Sequence, residues 1–184
     1  NKESGVAHED DEGSLIVEEI ISTDRESNNA LWHYIFGVEL VEEISFNRRG
    51  TNDPLYYMLK NPRKLKRNII DGLWARIIDP IKMLESRTYK NPGKIVINIS
   101  GQNQNDIEGI FQIETDGKNT DVKKTKDKPD ISIRPSELSS IYFGSVRASE
   151  FYQAGLIEIK NYDILSRVNE MFSVEQAPWC NTDF

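Results

Sequence analysis

The order of strand-like and helix-like stretches constrains this chain more than any other feature. Strand patterns occupy 94–100, 109–115 and, in a more polar form, 120–126, with Asn103-Gln104-Asn105-Asp106 and Asp116-Gly117 as the turns between them. Ile131-Ser132-Ile133-Arg134 adds a short fourth strand. The period then becomes helical. Pro135-Ser136 opens a helix through Leu138, Ile141 and Tyr142 to a Gly144 cap, and a second helix over 145–154 stops at Gly155. A third, over 161–172, sets Ile164, Leu165, Val168 and Phe172 at spacings of three and four. Strands first and helices last is an α+β layout, with helices covering one face of a mostly antiparallel sheet.

The N-terminal stretch reads differently. Ser14 to Ser22 is an apolar, β-branched run, and Thr23-Asp24-Arg25-Glu26 has the spacing of a capping box. Ala30, Leu31, Tyr34 and Val38 recur at helical spacing, and 40–48 returns to a strand pattern through Ile44 and Phe46. A strand–helix–strand cannot bury its own faces, so it reads as the trailing end of a domain whose front half is missing. A connector follows over 51–68, where Asp53-Pro54 starts a short helix through Leu55, Met58 and Leu59 and Asn61-Pro62 stops it. Residues 73–79 read as a strand. Pro80 begins a helix carrying Ile81, Met83, Leu84 and Arg87, which ends before Asn91-Pro92-Gly93. Two parts result, 1–68 and 69–184.

Charge and composition narrow the function classes. The net charge is −7, and residues 1–30 account for it with nine acids against Lys2 and Arg25; the remainder is neutral. That balance argues against nucleic-acid binding. The basic cluster Lys60, Arg63, Lys64, Lys66 and Arg67 lacks interleaved aromatics and reads as a solvated face. No apolar run approaches the roughly 20 residues of a membrane span, and the polar, acidic opening is no signal peptide. A cytoplasmic protein is expected, with no membrane partner. Cys180 is the single cysteine and His8 and His33 the only histidines, so neither an internal disulfide nor a metal site is expected. The chain opens on Asn1 rather than Met and reads as a processed or truncated piece.

Few residues carry candidate chemistry. Ser139, Ser140 and Ser145 have no histidine near them in sequence and read as helix or cap serines. His33, between Trp32 and Tyr34, reads as a packed or surface residue, and nothing basic adjoins Cys180 to activate its thiol. Trp32 and Trp74 read as apolar anchors. The tail, Ala177-Pro178-Trp179-Cys180-Asn181-Thr182-Asp183-Phe184, is unusually apolar for a chain end. Leaving Trp179 and Phe184 in water forfeits roughly 1.5–3 kcal/mol each, so the tail is expected to dock. It then either closes a core or fixes the α-carboxylate of Phe184 inside protein, where it can act as a base.

Leu31-Trp32, Asp53-Pro54-Leu55 and Asp71-Gly72-Leu73-Trp74-Ala75-Arg76-Ile77-Ile78-Asp79 come in one order with Arg87-x-Tyr89, Leu138-x-x-Ile141-Tyr142-Phe143-Gly144, Ala154-Gly155 and the Ala177 to Phe184 tail. This ordered set resembles the Eis-like (enhanced intracellular survival) N-acetyltransferases, which are built of two GNAT-type domains and a sterol-carrier-protein-type domain. The resemblance assigns 1–68 to the end of a degenerate second GNAT domain with its linker and 69–184 to the sterol-carrier-like domain. It implies a parent that moves an acetyl group from acetyl-CoA to a cationic amine, aminoglycoside-type or similar. Acetyl-CoA is then bound by the missing first domain and not by this piece, which alone is expected to be inactive. The α-carboxylate of Phe184 takes the family's role of base, and Asp183 that of an acidic entrance residue for the amine. Symmetric homo-oligomers are implied as well. Two other readings stay open: a lipid- or sterol-binding carrier module, and a purely structural oligomerisation domain.

Overall fold

The structure is a computed structural model, and it describes residues 13–70, 72–101 and 107–181. These divide into two compact units, one of residues 13–49 with Asn181 and one of 50–180.

The first unit is a strand–helix–strand. Strands β1 (Ser14–Val17) and β2 (Glu43–Phe46) pair in parallel, Ser14 opposite Glu43 and Val17 opposite Phe46, and helix α1 (Arg25–Phe36) connects them. The second strand is shorter than the 40–48 pattern, because Leu40 and Arg48 turn to positive φ at either side of it. The capping box at Thr23 does not form. Asp24 takes the N-cap instead, its carboxylate accepting from the Ser27 N–H (2.8 Å) and the Ser27 hydroxyl (2.9 Å), and two donors on one carboxylate outbid a single bond to a hydroxyl. Those bonds, the Ser27 N–H first, hold Asp24 below the usual carboxylate range. Trp32 is the buried centre of the unit, stacked on Phe36 (5.5 Å) and edge-on to Phe46 (5.3 Å), with the Arg49 guanidinium 5.7 Å above its ring.

The second unit carries the sheet. Strands β3 (Gly93–Ile99), β4 (Gly109–Thr115), β5 (Thr120–Lys124), β6 (Ile131–Ile133) and β7 (Glu158–Ile159) lie in the order β5-β4-β3-β6-β7. All neighbours are antiparallel except β3 and β6, so the layout is α+β with a mostly antiparallel sheet. Helices α4 (Pro135–Phe143), α5 (Ala148–Gln153) and α6 (Tyr162–Met171) follow the strands, with only the small β7 among them, and bury Leu138, Ile141, Ala148, Leu165 and Val168 in the common core. Gly144 ends α4 at φ 77, and a Cβ there would lie 2.5 Å from Val174, so both conformation and space call for glycine. Asn161 caps α6 by accepting from the Ile164 N–H at 3.0 Å. Ahead of the sheet come the short α2 (Leu55–Met58), a 3-10 turn (Pro62–Lys64) and α3 (Pro80–Ser86), whose N-cap is Asp79. Asn61-Pro62 thus starts a turn as well as stopping a helix.

Three expectations need correction here. Residues 73–79 form no strand: none of the described strands pairs with them, and the sheet ends at β5 and β7. Trp74 is no anchor, being 83% exposed. The helix expected over 145–154 keeps only six residues. The turn at 103–106 lies outside the described residues.

Candidate functional site

The two residues expected to carry chemistry, Asp183 and Phe184, lie outside the described residues. What is described is how the chain is led toward them. The root of the tail is fixed by Arg87, which sits just past the end of α3 rather than within it. Its guanidinium lies 4.9 Å from the Tyr89 ring and 5.0 Å from the Phe172 ring. It donates to the carbonyls of Tyr142 (2.8 Å), Thr88 (3.0 Å), Met171 (3.3 Å) and Phe172 (2.8 Å). One cation thereby satisfies the last carbonyls of both α4 and α6, groups a helix end leaves without internal partners. Burial lowers the Arg87 pKa, opposed by Tyr89 and Tyr142, yet guanidinium stays charged. Burial likewise pushes the Tyr89 phenol up, and its hydroxyl donates to the Leu84 carbonyl.

Beyond Phe172 the tail stays in contact. Val174 packs on Gly144, Glu175 meets Lys90 at 3.0 Å, and the Trp179 indole sits against Gly50. Asn181, the last described residue, belongs to the first unit. Arg48 Nη1 donates to its carbonyl (3.2 Å), and its Nδ2 donates to Glu19 Oε1 (2.6 Å). Arg48 itself stands at φ 55, a conformation non-glycine residues seldom adopt. The sequence offered no signal for Arg48 or Glu19. For Arg87 the signal was the Arg87-x-Tyr89 pattern, whose reason lies in carbonyls 55 to 85 residues away.

Other candidates resolve into structural roles. The Ser139 hydroxyl accepts from the Ile77 N–H (3.1 Å) and donates to the Pro135 carbonyl (2.7 Å), and the Ser140 hydroxyl bonds the Ser136 carbonyl. His33 is exposed on α1. Cys180 is half-buried. Glu137 is buried beside Arg134: burial alone would raise its pKa, but bonds from Arg134 and Ser136 outweigh it and hold the carboxyl below its ordinary range. Its stabilising contribution is therefore complete above that range and is lost as pH falls through the lowered value. Among the described residues no group of three or more His, Cys, Asp or Glu could hold a metal ion, and no helix is long and apolar enough to cross a membrane.

Two clefts remain. One of about 510 Å³ opens along β1 and α1 and is lined by Leu15, Ile20, Leu31, Tyr34 and Val38. The other, about 390 Å³ in the second unit, has a mixed lining, polar at Asn91, Arg147, Glu150 and Asn169 and apolar at Ile141, Val146, Phe172 and Val174. The space between sheet and helices is filled by Leu84, Ile95, Ile113 and Met171, all with no exposed surface. CoA's pyrophosphate calls for a glycine-rich turn at a helix N-terminus. The described helices start instead at Asp24, Asp79, Asn161, Pro54, Arg134 or Arg147, and the Asp24 carboxylate already fills the start of α1. The described residues do not fit that cofactor.

Two family models match this chain. The family described as "Sterol carrier protein domain" matches residues 81–181, and "Acetyltransferase (GNAT) domain" matches 3–77. An uncharacterized N-acetyltransferase of Streptomyces coelicolor is 24% identical over 167 residues, covering 91% of this chain and 40% of that protein. The N-acetyltransferase Eis of Mycobacterium tuberculosis is 27% identical over 161 residues, covering 85% and 38%. The crystal structure of Eis1 from Mycobacterium abscessus superposes with a TM-score of 0.79 at 26% identity, over 93% of this chain and 43% of that one. The chain thus spans about two fifths of the length of the curated relatives it matches. Acetyltransferases of this kind use acetyl-CoA. With a sterol carrier protein domain over more than half its length and an acetyltransferase match ahead of it, the chain belongs to the Eis-like N-acetyltransferase family.

Proposed function

We propose that this chain is the C-terminal part of an acetyl-CoA-dependent amine N-acetyltransferase and supplies its catalytic base from the chain end. The α-carboxylate of Phe184 takes a proton from the acceptor ammonium, and Asp183 draws that cation to the entrance. An α-carboxylate of reference pKa about 3.5 is ionised at neutral pH, and enclosure in protein raises its basicity. The acceptor is a cationic amine, aminoglycoside-type or similar. Acetyl-CoA is assigned to a domain that precedes this chain in a longer protein, and the chain alone is expected to be inactive. The proposal places the parent in the cytoplasm, with which the single Cys180 is in keeping, and makes it a symmetric homo-oligomer.

The observation that supports this reading is the tethering of the tail. Arg87 fixes its root, and Arg48 and Glu19 hold Asn181 three residues before the terminus. A tail that only closed a core would have no use for polar tethers outside that core. The lipid-carrier reading is not favoured, because the second unit's interior is filled.

The test compares the longer protein ending at Phe184 with one carrying a single appended Gly, by CoA-thiol release with cationic amines. The expected result is a fall in turnover of about 100-fold or more, the scale of a lost general base, with unchanged thermal unfolding. Equal rates would reduce the tail to packing.

A further inference from the structure

Asn181 is held by its backbone and by its side chain at once. Arg48 Nη1 donates to its carbonyl (3.2 Å), and its own Nδ2 donates to Glu19 Oε1 at 2.6 Å, a short bond of the charge-assisted kind. The two partners occupy equivalent places. Strands β1 and β2 run parallel with Val17 opposite Phe46, and Glu19 and Arg48 each stand two residues past those ends. Parallel strands joined by a helix carry ligands outside their carboxyl ends. Here a residue of the chain itself sits in that position. Both bonds are exposed to water, where such contacts add little stability. Arg48 meanwhile stands at φ 55, a backbone that is costly for any residue with a Cβ. A contact that costs strain and returns little stability serves placement. Three residues separate Asn181 from the terminus and span at most about 10 Å, so fixing Asn181 confines the end of the chain. Placement matters there, because a reacting group displaced by about 1 Å loses about 100-fold in rate.

We propose that Glu19 and Arg48 form a seat at the carboxyl ends of β1 and β2 in which Asn181 registers, so that these three are positioning residues for the terminal carboxylate. This rests on the reading of Phe184 as the base. The two halves of the seat make different demands. Arg48 takes a backbone carbonyl, which any residue at 181 offers. Glu19 is an acceptor only and requires a donor side chain, which asparagine has and an ionised aspartate lacks. The identity of residue 181 is thereby tied to that of residue 19.

The test uses the longer protein ending at Phe184. Asn181→Asp sets a carboxylate against Glu19 and should lower kcat about tenfold, with the KM for acetyl-CoA and the thermal midpoint unchanged. Adding Glu19→Gln to Asn181→Asp exchanges donor and acceptor and should bring kcat back to within about threefold of the wild type. Release of Phe184 by carboxypeptidase reads the seat without turnover. It should be about tenfold faster in Asn181→Asp and slow again in the double variant. Wild-type kcat and release in Asn181→Asp, or losses that Glu19→Gln does not reverse, overturn the seat; a fall in turnover on appending Gly to Phe184 would still support the base. Faster release with unchanged kcat overturns the positioning role and leaves only a tether. Equal rates with and without the appended Gly overturn the base, and with it the carboxylate as what the seat positions.

Discussion

Leu15-Ile16-Val17 and Ile95-Val96-Ile97 are nearly the same words in this sequence, yet they meet opposite fates. In β3 all three side chains are buried, while in β1 Ile16 is 61% exposed and its neighbours are half-buried. The difference is the number of neighbours. Strand β3 lies between β4 and β6, whereas among the described residues β1 has β2 alone. Parallel strands are normally covered on both faces, and a two-stranded parallel pair is too small to do this for itself. A hydrophobic run therefore specifies a strand, but the strands beside it decide what the run buries.

The sharpest way to break this contrast is to make the same truncation in each unit. Leu84→Ala, in the filled core, should lower stability by about 3 kcal/mol. Ile16→Ala should change it by no more than about 0.5 kcal/mol. Urea unfolding of both variants decides the matter, and equal losses would mean the first unit has a core of its own. Next in size is Arg87→Met, which keeps the apolar stem but leaves four carbonyls without their donor. About 2 kcal/mol should be lost, and proteolysis should begin after Phe172 as the tail root loosens. Asn161→Ala removes the α6 cap at a cost of about 1 kcal/mol, read as a shift in the thermal midpoint. Asn161→Asp should restore it.

The smallest effect belongs to the first unit and is read by varying pH. Because the Asp24 carboxyl is held below its ordinary range, its support of α1 is complete above that range and fades as pH falls through the lowered value. Protection of the α1 amides, measured relative to the intrinsic exchange rate at each pH, should fall on acidification in the wild type. In Asp24→Asn, whose cap does not titrate, that protection should stay flat; a parallel fall in both would remove Asp24 from the explanation.

What the sequence made legible follows the same line. The three long strands, the Gly144 stop and the Asn161 start were readable because each depends on local spacing and local caps. The strand pattern at 73–79 misled, since no described strand pairs with it. Arg87 was visible as a motif but placed inside a helix, since the carbonyls it serves come from Tyr142, Met171 and Phe172. Arg48 and Glu19 were invisible for a stronger reason: the former reaches Asn181 across 133 residues, the latter across 162. The chemistry of Phe184 and Asp183 was legible only through family likeness, and no local pattern stands for it.

The three tryptophans give these regions separate optical signatures. Trp32 is enclosed by two phenylalanine rings, and among the described residues its indole N–H has no hydrogen-bond partner, conditions that place its emission at short wavelength. Trp74 is open to water and Trp179 half open. Acrylamide should extinguish Trp74 first and leave the blue emission of Trp32, so loss of order in the first unit can be followed in the unmodified protein without an added dye. In the longer protein, resistance of the red component to the same quencher would show by colour alone that the stretch around Trp74 has been covered.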